Sequence, residues 1–383
     1  TYIQIVEMLQ NKIYQNYIIE ILKNFFVILF SFSIIAWTVK AVNYLNLIVE
    51  SGYSTSTYLI YSLLSLTGVL TKFIPLSFLV TIVFFIVKHN EEKELTILWT
   101  SGVKKIHLVN LIFISSILIL SFYLIFSVFV TPYSLNQSRK LLSNKNDISI
   151  MPIIKNNKFS DTYKGLTLIV DKKIKNELRN IFIFDSSDNF KNLGNTDTGN
   201  EILNIIAKKG IVEKGQMVLL NGQIITSTTS NLKNKVIKFE QMNLDLQDLE
   251  NNVVKKPKIQ ETSTFLLMKC FGNKATENIF CSKGAKDIIP NLNRRFIMPF
   301  YIPIISLLSC FLLIKSKNFI FSSKTIIFLL SFFVLLFAEL SIRYTGISKE
   351  INYLFILFPF VFLIFIYLFL KNKFSKETII ENE

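Results

Sequence analysis

Three long apolar stretches, a mostly polar segment and three more apolar stretches follow one another along this 383-residue chain. That layout leaves few folds open, because roughly 20 consecutive apolar residues are enough for a helix to cross about 30 Å of hydrocarbon. The unbroken stretches are Ile21 to Ile48, Tyr58 to Val87, Ile106 to Val130, Phe296 to Leu313, Thr325 to Ile342 and Tyr353 to Leu370. Composition agrees with six spans: 51% of the residues are hydrophobic and 36 are Phe, against only 12 Gly, a balance that a soluble core does not accommodate. The expected fold is a polytopic α-helical membrane protein of six transmembrane helices, arranged 3+3 around an inserted domain. Polar and mixed residues precede the first span and no small-residue cleavage site follows it, so it is read as a retained span rather than a signal peptide. With Met8 as the expected start, the domains are 8–130, the inserted segment 131–293, the second set of spans 294–371, and a tail 372–383.

Orientation follows from Lys and Arg in the short connections, which favour the cytoplasmic side. With the N-terminus inside, the inner segments hold Lys12, Lys23, Lys88, Lys93, Lys104, Lys105, Lys315, Lys317, Lys324, Lys371, Lys373 and Lys376, against Lys40, Arg343 and Lys349 outside. Both termini are then expected on the cytoplasmic side and the insert outside. The net charge of +15 is not read as a nucleic-acid signal, because Lys, Ile and Asn are abundant everywhere in the chain, as in an AT-rich genome. Cys270 and Cys281 fall in the exported segment, where an oxidising compartment allows either a disulfide or two free thiols.

The insert reads as β. Leu166 to Val170, Asn180 to Phe184, Ile202 to Ala207, Gln216 to Leu220, Gln223 to Ser227 and Val236 to Phe239 are short runs rich in Val, Ile and Phe. Turn residues separate them, and Asn221-Gly222 is a hairpin signal between two of them. Closely spaced strands without helical periodicity suggest a sandwich or jellyroll.

Catalytic signatures are missing from the sequence. His89 and His107 flank one loop without zinc spacing, there is no phosphate-cradling Gly-x-x-x-x-Gly-Lys, and no Gly-x-Ser-x-Gly elbow. The expectation is a non-enzyme with no cofactor of its own, so that a partner supplies energy for any active work. The loop from Lys88 to Lys105 is the most distinctive local segment. Asn90 can cap a helix whose first turn carries Glu91, Glu92 and Glu94. Leu95, Leu98 and Trp99 then share one face, and Gly102 can end the helix in the left-handed conformation. Such a helix either docks a partner or lies on the bilayer surface.

The run Glu94-Leu-Thr-Ile-Leu-Trp-Thr-Ser-Gly102, following the proline-containing second span, resembles the coupling segment of the lipopolysaccharide export permeases LptF and LptG. Asn291-Leu-Asn-Arg294-Arg295-Phe-Ile-Met-Pro299 is similar to that family's acid-x-x-Arg-Arg-x-x-x-Pro pattern at the head of the fourth span, with Asn291 in the acidic place. Trp99 and Lys104 also depart from the commoner residues. Leu45-Asn-Leu-Ile-Val-Glu-Ser-Gly52 looks like the LptF form, with the LptG paralogue as the alternative. The resemblance covers nearly the whole chain. It implies one half of an ABC exporter: a heterodimer with the sister permease LptG, two copies of a cytoplasmic ATPase that binds the ATP, and an exported jellyroll passing lipopolysaccharide to a periplasmic bridge protein. It further implies coupling through Glu94, Leu95, Leu98, Trp99 and Gly102.

A phosphorylated lipid needs cations in its path, and three residues are candidate substrate contacts. Lys40 and Arg343, near the outer ends of the first and fifth spans, either meet phosphate or snorkel to the interface. Lys72 lies midway along the second span, where a charge costs roughly 2.5 to 3.5 kcal/mol to insert, so it is expected to face a cavity or partner. Arg294 and Arg295 are read as headgroup anchors. The rival classes are weaker: a secondary transporter would show broken, polar spans at the midplane, an exported enzyme a catalytic constellation, and a membrane scaffold or receptor a larger cytoplasmic domain.

Overall fold

In the computed structural model, residues 12–49, 53–143, 154, 156–163, 165–174, 176–186, 201–213, 216–228, 234–245, 258–272, 285–314 and 324–380 are described. Lys315, Lys317, Cys281 and the Glu50 to Gly52 end of the LptF-like segment lie outside them. Among the described residues six helices are long and apolar enough to cross a membrane: Lys12–Val49, Thr55–Glu91, Lys105–Leu142, Lys286–Leu313, Lys324–Tyr344 and Lys349–Ser375. They coincide with the six expected stretches and run beyond most of them. The second, a 37-residue helix, reaches about 55 Å at 1.5 Å per residue. It therefore carries Lys88 and His89 past the hydrocarbon, where polar contacts can form.

By contacts the chain divides into two compact units, Thr1–Thr38 with Ser65–Asn136 and Pro257–Glu383, and Val39–Leu64 with Gln137–Lys256. In the first unit the fourth span is the most enclosed helix: 72% of its apolar window is buried, against 22% for the first and sixth spans. Tyr301, Ile302, Ile304, Ile305 and Leu307 form its buried surface, against the third, fifth and sixth spans, in one core cluster with Ile74, Phe78 and Ile82 of the second span and Leu108 and Ile112 of the third. Lipid offers no hydrophobic drive for helices to associate, so this contact depends on close fit. Ile35, Phe333 and Val361 stay exposed, as expected of faces turned to lipid.

The third and fourth spans carry irregular turns. The third passes through a π-helical turn at Phe126–Val130, a distortion that displaces carbonyls from the helical ladder. The Thr264 hydroxyl donates to the Val128 carbonyl at 2.7 Å, supplying a donor there. The fourth begins with a 3-10 turn at Met298–Phe300 and ends with another at Cys310–Leu313, a shape consistent with Pro299 and Pro303, which cannot donate to the ladder.

The second unit contains β1 (Ser160–Tyr163), β2 (Leu166–Ile174), β3 (Glu177–Asp185), β4 (Glu201–Glu213), β5 (Gln216–Thr228) and β6 (Asn234–Asp245) in one antiparallel sheet, ordered as in the chain. Alternation supplies its core: Leu166, Leu168 and Val170 of β2 face Ile181 and Ile183 of β3, Leu203 and Ile205 of β4, and Met217 and Leu219 of β5. The inserted β domain is thus as expected. Among the described residues, strands that are neighbours in sequence are neighbours in the sheet.

The Asn221-Gly222 hairpin is corrected. Those residues sit inside β5, which runs unbroken from Gln216 to Thr228, and both its neighbours keep register across them. Asn221 takes φ 52. A Cβ on Gly222 would meet the Phe239 ring at 2.4 Å and the Ile206 carbonyl at 2.5 Å, so glycine is required for close approach and not for a turn. Helices at Thr131–Ser143 and Thr264–Gly272 were likewise not expected in a segment read as β. Cys270 is disulfide-bonded, and Cys310 is a buried free thiol.

Candidate functional site

The loop after the second span folds differently from a single capped helix. The span runs to Glu91, Lys93 takes φ 60, and a separate helix covers Glu94–Thr100. Asn90 is therefore a last-turn residue, its carbonyl accepting the Lys93 N–H at 3.3 Å, and its side chain does not cap the short helix. The exit is as expected: Gly102 takes φ +92, and the Gly102 and Val103 N–H groups donate to the Trp99 and Leu98 carbonyls at 3.1 and 3.2 Å. This paired closure satisfies two terminal carbonyls and needs a residue at ease with positive φ.

The short helix has one face fastened to its own bundle. Leu95 is 0% exposed within the core formed by the spans, so it is an anchor and not part of an outward stripe. Trp99 packs against the same core, and Lys105 Nζ lies 5.1 Å from its ring centroid and 5.9 Å from that of Phe374 in the sixth span. Ile97, two positions from Leu95 and so nearly opposite it around the helix, is 66% exposed. Glu94 is about half exposed, at 47%.

Beneath the helix lies an ion-pair cluster. His89, 4% exposed at its side chain, has Glu94 Oε2 2.7 Å from Nδ1 and Glu20 Oε2 3.2 Å from Nε2. Lys88 Nζ reaches Glu20 Oε1 at 2.8 Å. Glu91 pairs with Lys324 at the head of the fifth span. His89, Glu92 and Glu94 bring ligand-type atoms within 4.8 Å of one another, but Glu94 already sits against His89 and both carboxylates are exposed.

The second candidate is a small open pocket in the same unit, lined by Thr71, Lys72, Tyr123, Thr131, Arg294 and Arg295 among others. Pro75 lacks the N–H that would close on the Thr71 carbonyl, which loosens the helical ladder at the turn that carries Lys72. Thr71 and Thr131 share a hydroxyl contact at 2.6 Å. Arg294 pairs with Glu339 of the fifth span. Arg295 is buried and donates to the Thr264 hydroxyl at 2.7 Å and to the Thr262, Gln260 and Ile259 carbonyls at 3.0, 3.3 and 3.4 Å. It clamps the segment entering the Thr264–Gly272 helix, which corrects its reading as a headgroup anchor. Lys72, in contrast, forms no ion pair among the described residues.

Arg343 is exposed at the end of the fifth span and is not part of the pocket lining. Lys40 is half-buried and belongs to the other compact unit. Sequence reasoning missed Glu20, Glu339 and the roles of His89 and Arg295. Glu339 carried a usable signal, because a carboxylate within an apolar span implies a partner. Glu20 borders its span and gave none.

Comparison with known proteins adds two findings. The family model described as lipopolysaccharide export system permease LptF/LptG matches residues 16–373. A protein of Rickettsia prowazekii (strain Madrid E), named uncharacterized protein RP871, is 25% identical over 340 residues, covering 87% of this chain and 88% of that protein.

Proposed function

The chain belongs to the LptF/LptG family of lipopolysaccharide export permeases, and from that membership we infer that it is the LptF-type half of an ABC exporter in the inner membrane. As a family member it is a multi-pass permease and not a catalytic subunit on its own. In the proposed complex it pairs with the sister permease, two copies of a cytoplasmic ATPase bind and hydrolyse ATP, and the exported β domain hands lipopolysaccharide to a periplasmic bridge protein. Both termini are cytoplasmic in this reading, supported by 12 inner against 3 outer Lys and Arg in the short connections. The disulfide at Cys270 is consistent with an exported insert.

The observation that carries the reading is the short helix Glu94–Thr100, fastened to the bundle through Leu95 and Trp99 while Ile97 faces outward and the half-exposed Glu94 borders both the free face and His89. A rigidly backed helix with a carboxylate and an apolar contact on its free face can transmit force from a docked subunit. Lys72, which forms no ion pair among the described residues and lies in the pocket with Arg294 and Arg295, is the best-placed contact for a lipid phosphate, with Lys40 and Arg343 as further candidates.

The test is purification of the complex from detergent-solubilised membranes. An ATP-hydrolysing subunit should co-purify in fixed ratio. Glu94→Lys should detach it or abolish transport, since losing one member of a closed interfacial pair costs roughly 2 to 5 kcal/mol. Glu92→Lys should be mild. Absence of any ATPase with the unaltered protein, or equal behaviour of the two variants, refutes the docking role.

A further inference from the structure

His89 is buried at the junction of three elements, and the docking role assigned above does not use it. Its ring comes from the last turn of the second span and stands between Glu94 of the short helix and Glu20 of the first span, 2.7 and 3.2 Å from Nδ1 and Nε2. Phe85 and Tyr17 pack against the ring with centroids at 4.3 and 5.2 Å. The carboxylates lie off the hydrogen-bonding directions of the two nitrogens, so the ring meets them in close contacts and not in formed hydrogen bonds.

We propose that His89 is a positioning residue that couples Glu94 on the docking helix to the first span, a proposal that rests on the docking role of that helix. Without the imidazole, Glu20 and Glu94 would be like charges facing each other across one space, with Lys88 satisfying only Glu20. With it, a partner that draws Glu94 outward changes the field on the ring, and the ring shifts its balance toward Glu20. The first span is suited to respond. It is joined to the core through the buried Ile21, Phe25 and Leu29 and the partly buried Tyr14, Tyr17, Ile18 and Leu22, and only 22% of its apolar window is enclosed against 72% for the fourth span, so displacing it breaks less packing than displacing the fourth.

The experiment uses the purified complex with its ATPase and measures lipid released per ATP hydrolysed. His89→Phe keeps ring volume against Phe85 and Tyr17 and removes both nitrogens. It should retain the ATPase and lower release per ATP by about tenfold, within the range of ordinary coupling between sites. His89→Gln, which restores one polar bridge, should recover part of that loss, whereas a purely packing role would make Phe the better replacement. Glu20→Gln should lower the ratio in the same direction, and adding it to His89→Phe should change nothing further, because coupled residues are non-additive. Wild-type release per ATP in His89→Phe overturns the proposal. If His89→Phe does not assemble, Glu20→Gln decides: an unchanged ratio overturns the proposal and a lowered one supports it. If no ATPase accompanies the unaltered protein, the docking role fails first and this coupling with it.

Discussion

The loop end of the helical bundle and the pocket beside Arg294 use their cations differently. At the loop end Lys88 meets Glu20, Lys324 meets Glu91, and Lys105 lies over Trp99. These cations hold elements of the bundle to one another. In the pocket, Arg294 and Arg295 are engaged by Glu339 and by backbone carbonyls, yet Lys72 forms no ion pair among the described residues. A fixed, internally neutralised surface suits the docking of a large partner. A cation left open in a helix interior suits an anionic ligand that comes and goes, because an unpaired charge there persists only where water or a ligand compensates it.

The sharpest break of this comparison is topological. If the loop end is cytoplasmic, a cysteine probe at Asn221 should label fully with an impermeant reagent from outside, and one at Lys93 should not label until the membrane is opened. The opposite pattern would exchange the roles of the two ends. Next in size is the clamp. Arg295→Met should cost about 3 kcal/mol or more, since buried hydrogen bonds to a charged group contribute roughly 1.5 to 3 kcal/mol each and their acceptors would be stranded. A lowered melting temperature in detergent checks this, and an unchanged one would make Arg295 a pocket cation like Lys72. Smaller again is the ligand effect. Lys72→Glu should reduce lipopolysaccharide crosslinking by about tenfold, one charge contact's worth, with assembly unaffected, whereas Arg343→Glu, exposed and outside the pocket, should change it by twofold or less. Equal losses from both would spread the substrate path beyond the pocket.

Several elements are legible in the amino-acid sequence alone. The six spans are, because a helix in hydrocarbon must satisfy its own backbone and so needs an uninterrupted apolar run. Gly102 is legible as a helix end, since left-handed closure there falls to glycine. Asn221-Gly222 misleads for an instructive reason: the same dipeptide that makes a hairpin also fits inside a strand where Phe239 crosses close by, and only the cross-strand neighbour distinguishes the two. The chain order of the strands is equally hidden, as alternation fixes which face is buried and not which strand lies alongside.

The sequence by itself determined the number of spans, the β character of the insert and the family likeness, all of which rest on local composition, periodicity or contiguous motifs. Tertiary structure alone decided what the polar residues do. Glu20 and His89 are 69 positions apart in the chain yet 3.2 Å apart in space, Arg295 closes on Thr262, 33 positions upstream, and Leu95 points into the bundle rather than toward a partner. The physical reason is that a charge in or near hydrocarbon takes its meaning from whichever group neutralises it, and that group is chosen by helix packing, which no local pattern records.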